Sequence, residues 1–190
     1  MVNDDDGNDQ AAGVNFSSLI ADACAKQMTI TNVPQTDATV LNQTTGQPLA
    51  SPGILNVFVG GTFFHLGSRY IIDTGALSKV FDTTSEDGNT LIFRRRADGV
   101  NLLEIDPSTL GPGHDFFIVE LVKEPTTKAL TLVMHGLDAP GTYAAVYYVT
   151  NVVVPMKHMF PGTYYLIEWT DENGNNDQDP ADRFDIHFHD

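Results

Sequence analysis

The sequence predicts an all-β domain, mainly antiparallel: a β-sandwich, Ig-like or related, with one short N-terminal helix. Three observations carry that expectation. From Ile54 to His189 the chain returns again and again to short runs of Val, Ile, Phe, Tyr and Thr, the residues that fit a pleated, half-buried surface. Gly and Pro, of which the whole chain has sixteen and ten, punctuate those runs, supplying turn conformations. One stretch, near the N-terminus, is the best candidate for apolar residues at helical spacing. Many short strands joined by Gly and Pro turns point to a sandwich, with a barrel as the alternative closure.

The helix comes first. Phe16, Leu19, Ile20 and Ala23 form one apolar stripe across Asn15 to Gln27, with Asn15 or Ser17 as N-cap. Ile54 to Val59, Gly60-Gly61 and Thr62 to Leu66 then read as a hairpin. Arg69 to Ile72 and Leu91 to Arg94 are expected as short strands around a turn-rich stretch, Thr83 to Asn89. Phe116 to Lys123 and Ala129 to His135 read as a second hairpin through Glu124-Pro125-Thr126-Thr127-Lys128. Ala144 to Val154, Tyr164 to Trp169 and Phe184 to His189 complete the strand set. Pro140-Gly141-Thr142-Tyr143 recurs as Pro161-Gly162-Thr163-Tyr164, which reads as repeated turn chemistry before a strand.

Composition bounds the function. At 190 residues the chain suffices for one well-cored domain: residues 1–14 read as a disordered acidic tail or spacer, residues 15–190 as a single domain. Ten Lys and Arg against 25 Asp and Glu leave a net charge of −15. That argues against nucleic acid or an anionic membrane as a partner, since both need clustered cations, and it suits metal binding. No apolar run reaches transmembrane length. Cys24 is the sole cysteine, so no intramolecular disulfide forms; it reads as a small buried apolar residue in the helix. The opening Asn3-Asp4-Asp5-Asp6-Gly7-Asn8-Asp9-Gln10 looks like the polar spacer that follows a removed signal peptide or a lipoprotein's lipidated cysteine, with Met1-Val2 as an added leader. The expected location is therefore extracytoplasmic: periplasmic, secreted or lipid-anchored. A cytoplasmic acidic tail is the alternative.

The richest site signal lies near the end. In Asp171-Glu172-Asn173-Gly174-Asn175-Asn176-Asp177-Gln178-Asp179-Pro180-Ala181-Asp182, oxygen-bearing side chains occupy relative positions 1, 3, 5, 7, 9 and 12, the ligand spacing of a calcium loop. A hard divalent cation needs six to eight oxygens, and this spacing offers them. Asn176 replaces the usual Gly at position 6, Asp182 the usual Glu at position 12, and strand-like sequence flanks both sides. The segment resembles the Asp/Asn-rich calcium loops inserted in secreted β proteins. Asp171, Asn173, Asn175, Asp177 and Asp182 are the expected calcium ligands, Asp177 through its side chain or its backbone carbonyl. The alternative is a solvated Asx turn between strands.

A second motif points to an enzyme. Ile71-Ile72-Asp73-Thr74-Gly75-Ala76, preceded by Val57-Phe58-Val59-Gly60-Gly61-Thr62, resembles the active-site signature of retropepsin-type aspartic proteases. The resemblance implies Asp73 as catalytic carboxylate at a strand end, Thr74 and Gly75 holding its turn, and a homodimer to supply the second carboxylate. The alternative is a strand ending in an ordinary Asp-Thr-Gly turn.

The histidines suggest transition metals. On a strand, Asp185, His187 and His189 share one face, as zinc or copper ligands would; a solvated face is the alternative. Met134-His135 and Met156-Lys157-His158-Met159 resemble the Met/His sets of some periplasmic copper chaperones. Arg94-Arg95-Arg96 is expected to pair with local carboxylates. The expected function is a non-catalytic binding or structural module, monomeric or weakly dimeric, with a calcium-stabilised loop and a protein or glycan partner. A homodimeric protease and a copper or zinc binder are the alternatives.

Overall fold

The computed structural model describes residues 2–3, 33–49, 54–156 and 159–190. The expected helix at Asn15 to Gln27, Cys24, the acidic tail beyond Asn3 and the Lys157-His158 pair lie outside the described residues. Among those described, the fold is mostly β: ten strands in two sheets. In chain order the strands are β1 (Val2–Asn3), β2 (Val33–Pro34), β3 (Leu55–Val59), β4 (Val80–Thr84), β5 (Leu91–Arg95), β6 (Asn101–Ile105), β7 (His114–Lys123), β8 (Leu130–Gly136), β9 (Tyr164–Thr170) and β10 (Arg183–His189). Two helices accompany them, α1 (Leu66–Arg69) and α2 (Ala139–Tyr148), each running on into a π-helical turn, Tyr70–Thr74 and Val149–Val153. No helix among the described residues is long and apolar enough to cross a membrane.

The large sheet runs β10-β9-β7-β8-β3-β1-β2. Its first half is antiparallel; from β8 through β3 to β1 and β2 the pairing is parallel. β4, β5 and β6 form a small antiparallel meander. That meander lies on one face of the large sheet, where Val80, Phe93 and Ile105 meet Phe116, Ile118 and Leu166. α2 covers the other face, packing Ala144, Ala145 and Tyr148 on Phe117, Met134 and Ile167. β7 is thus buried on both sides, which is why its sequence is a near-continuous apolar run rather than an alternation. Farther along the meander's face, Ile71 and Ile72 close over Phe58, Val133 and Leu41.

Three expectations are corrected. The Ala144 to Val154 run is not a strand. Its β-branched and aromatic residues favour one locally, yet Gly141, Ala144, Ala145 and Tyr148 are buried at helical spacing against the sheet. Pro140 sits in the first helical turn, where its missing N–H removes no intrahelical bond. The repeated Pro-Gly-Thr-Tyr therefore opens a helix once and precedes a strand once. Second, Arg69 to Ile72 is helical, and the successive residues Ile71 and Ile72 are both buried, which a half-buried strand does not allow. Third, no hairpin follows β3. Thr62 to Leu66 is turn and helix start, and β3 pairs in parallel with β8, Val57 opposite Leu132. The β7–β8 hairpin is present, its turn held by the Glu124 carboxylate, which accepts the Thr126 and Thr127 N–H groups.

Candidate functional site

The acidic loop links β9 to β10 at the sheet's antiparallel edge, and its carboxylates organise it. Asp171 Oδ1 accepts the N–H groups of Asn173 and Gly174 at 3.0 and 2.6 Å; its Oδ2 accepts that of Asn176 at 2.6 Å. These bonds hold the Asp171 carboxyl below the usual range, the Asn176 N–H contributing most. Asn173 and Asn175 each accept an N–H two residues on, from Asn175 and Asp177. Both amides donate to Asp179 Oδ2 at 2.8 and 2.9 Å. Gly174 and Asn176 take positive φ, +73° and +61°, and Asn is the non-glycine residue that tolerates this best. Asp182 closes the loop: its Oδ2 accepts from Trp169 Nε1 at 2.8 Å and from the Asp179 N–H at 3.0 Å. Its Oδ1 is buried with no hydrogen-bond partner. Four of the five expected ligands thus turn about one short loop, while the exposed Asp177 enters through its backbone. Among the described residues, no three His, Cys, Asp or Glu side chains gather as a metal-holding group. The oxygens of Asp171, Asn173 and Asn175 instead accept the loop's own N–H groups.

Two further candidate sets, the Asp-Thr-Gly turn and the C-terminal Asp/His face, are not assembled as the sequence suggested. Asp73 and Thr74 are exposed in the π-helical turn, and Gly75 caps it by donating to Tyr70 O. The strand-end position that the protease signature demands is absent from this segment. At the C-terminus a β-bulge between Ile186 and Phe188 breaks the two-residue alternation. Phe184 therefore packs on the α2 side and Phe188 on the meander side. His187 Nε2 reaches Glu168 Oε2 at 2.7 Å on the meander side, while His189 stacks on Tyr165 on the α2 side. Asp185 pairs with Arg183. The three residues thus take three separate partners.

A pocket that no sequence motif marks lies at the carboxyl ends of the parallel strands β3 and β8, a cavity of about 210 Å³. Such ends are where open α/β sheets place ligands. β8 terminates in His135 and Gly136. A side chain on Gly136 would meet the Thr142 nitrogen at 2.2 Å, so only glycine lets α2 start so close to the strand. His135 is buried, and its Nε2 lies 3.1 Å from Asp82 Oδ1 of the meander. Burial works against the Asp82 charge, but the His135 hydrogen bond and the imidazole outweigh it and hold the carboxyl below its usual value. Thr62, Phe63, Phe64 and Asp138 complete the wall. The one signal available beforehand was a histidine next to glycine at the end of an apolar strand.

A second pocket, of about 500 Å³, borders Lys79, Arg95 and Arg96. Their charges are engaged within the chain: Lys79 by Asp190, Arg95 by Asp98 at 2.6 Å, and Arg96 by the carbonyls of Ser78 and Ile72. The expectation that the arginine run pairs with local carboxylates holds for Arg95; Arg94 binds Asn101 and Arg96 binds carbonyls. Comparisons with protein-family models, curated protein sequences and solved structures found no match to this chain.

Proposed function

We propose that the protein is an extracytoplasmic, non-catalytic binding or structural module of the β-sandwich class, with a calcium-stabilised loop between β9 and β10. The parallel half of the large sheet favours a relative of the Ig-like sandwiches over an Ig domain, whose sheets are antiparallel. The observation that carries the calcium reading is Asp182. One of its oxygens ties the loop to Trp169, and the other is buried without a donor. An anionic oxygen out of water and without a partner is costly, and a hard cation satisfies it. Asp171, Asn173 and Asn175, with the Asp177 side chain or carbonyl, would complete the oxygen set. Calcium there would offset the repulsion among the loop carboxylates and fix the loop against the sheet edge. Weak calcium modules, with dissociation constants of about 0.1–1 mM, belong outside the cell, which supports the location. The strand-end pocket gives the module a place to engage a partner.

Thermal melts in chelator and in millimolar calcium test this. Calcium at about 100 times its dissociation constant adds roughly 2.7 kcal/mol, so the melting temperature should rise on addition and fall again on chelation. Asp171→Asn combined with Asp182→Asn should remove the response. An identical melting temperature with and without calcium would refute the calcium reading.

A further inference from the structure

Building on the binding-module reading, we propose that the pocket at the carboxyl ends of β3 and β8 takes a small organic cation, an alkylammonium group the size of a lysine side chain. Size comes first. About 210 Å³ falls below the roughly 300–1,000 Å³ of sites that enclose a whole drug-sized ligand, so the pocket suits a side-chain-sized group. Charge comes second. Asp82 and Asp138 add two acidic residues to a lining that, among the described residues, holds no Lys or Arg; the basic groups nearby, the His135 imidazole and the Arg69 guanidinium, are bound to Asp82 and to the Thr62 and Phe63 carbonyls. Asp82 keeps 30% of its side chain exposed while His135 orients it from beneath. The chain's net charge of −15 adds a field that draws cations and repels anions.

Aromatic surface adjoins the two carboxylates. Phe63 and Phe64 are 78% and 51% exposed at the pocket's edge, their rings 4.8 Å apart and edge to face. Phenyl faces attract cations and cover alkyl chains. The loop that presents them is braced. Arg69 donates from Nε to Thr62 O at 2.8 Å and from Nη2 to Phe63 O at 2.6 Å. Gln35 Nε2 donates to Phe64 O at 3.1 Å. Two adjacent phenyl groups held toward solvent on a fixed backbone form an apolar surface that a ligand can cover. The alkyl chain would lie on the rings and the ammonium against Asp82.

The test is an NMR titration of isotope-labelled protein with n-butylammonium, set beside n-butanol and butyrate as neutral and anionic isosteres. Butylammonium should shift the amides of Gly61, Gly136 and Leu137, and butyrate should not. Asp82→Asn, which keeps an oxygen for His135, should weaken binding at least tenfold. Phe63→Ala with Phe64→Ala, both at exposed positions, should weaken binding several-fold while leaving the melting temperature unchanged; this pair decides the matter if Asp82→Asn folds poorly. Equal shifts from butanol and butylammonium would overturn the cation while leaving a binding module. An absence of shifts at these residues would overturn the pocket. Both results are independent of the calcium melts, so the two readings fail separately.

Discussion

Asp115 is fully buried in β7 and faces backbone N–H groups. Its Oδ1 accepts from Phe116 at 2.6 Å, and its Oδ2 accepts from Asp138 at 3.0 Å and Gly141 at 2.8 Å. The carboxylate thus caps the start of α2 from the neighbouring strand, satisfying donors that a helix terminus leaves open. Gly141 makes the approach feasible: a Cβ there would sit 2.6 Å from Asp115 Oδ2 and 2.9 Å from Phe116 O. Alanine in a helix is ordinarily better than glycine by about 1 kcal/mol. Overpacking against a fixed carboxylate and a strand carbonyl costs about 1–3 kcal/mol, and here it should win. Gly141→Ala is therefore expected to lower stability in urea melts, and a variant as stable as the wild type would show that the cap can move. None of this was legible beforehand. Asp115 looks like an ordinary acid before a strand, and its partner lies 26 residues away.

Among the elements, β10 is the sheet's edge at one end, and a cluster of three side chains ties it down. Glu168 on β9 accepts from His114 on β7 and His187 on β10, each at 2.7 Å. His114 Nδ1 lies 2.8 Å from the Thr109 carbonyl and must donate to it, so a proton on Nε2 as well makes the ring an imidazolium. Burial would lower the His114 pKa, but Glu168, the Thr109 carbonyl and the Asp115 charge raise it above its ordinary value. Burial would raise the Glu168 pKa, but His114 and His187 hold it below its ordinary value. A raised histidine stabilises the fold fully below its unfolded pKa and loses that contribution as pH climbs through the folded one. Glu168→Gln should therefore speed amide exchange across Arg183–His189, more at pH 6 than at pH 8, at a cost of about 1 kcal/mol after allowing for partial solvent screening. Exchange rates that do not change would mean the backbone ladder alone secures β10. The sequence showed the alternation of Asp185, His187 and His189 but not the bulge that divides them. A bulge depends on how two strands register, not on either strand alone.

At the scale of the whole molecule, the buried acids set a common pH trend. Glu120 is buried, takes hydrogen bonds from Ser78 and the Lys79 N–H, and is pushed by desolvation up to about 7. Asp115 is pushed by burial up to about 6. Both folded values lie above the ordinary ones, so the folded state binds protons that the unfolded chain does not. Stability accordingly rises as pH falls from about 8 toward 5. His114 adds in the same direction, and easing the net charge of −15 does too. Below about pH 4 the sign reverses, because Asp82, Asp171, Glu168 and Asp190 are held below their usual values and their protonation removes partners. A stability maximum near pH 5 is expected in denaturant melts. Glu120→Gln, which keeps the shape, should flatten the slope between pH 5 and 8. A wild-type protein more stable at pH 8 than at pH 5.5 would contradict this account.

The sequence by itself determined what depends on near neighbours. It determined the strands near Leu91, Phe116, Ala129, Tyr164 and Phe184, the β7–β8 hairpin through its Glu124 turn, the oxygen spacing of the acidic loop, and the charge balance. Turn chemistry and side-chain period act over a few residues and can be read there. Only the tertiary structure decided that Ala139–Tyr148 is a helix, that β3 runs parallel to β8, and that His135 meets Asp82 across 53 residues. Helix and strand propensities differ by tenths of a kcal/mol per residue up to about 1. Burying Ala144, Ala145, Tyr148 and Val149 on a formed sheet outweighs that, at about 1.5–3 kcal/mol for a valine-sized or larger side chain. The partner surface exists only once the sheet does, so the choice could not be read from the residues that made it.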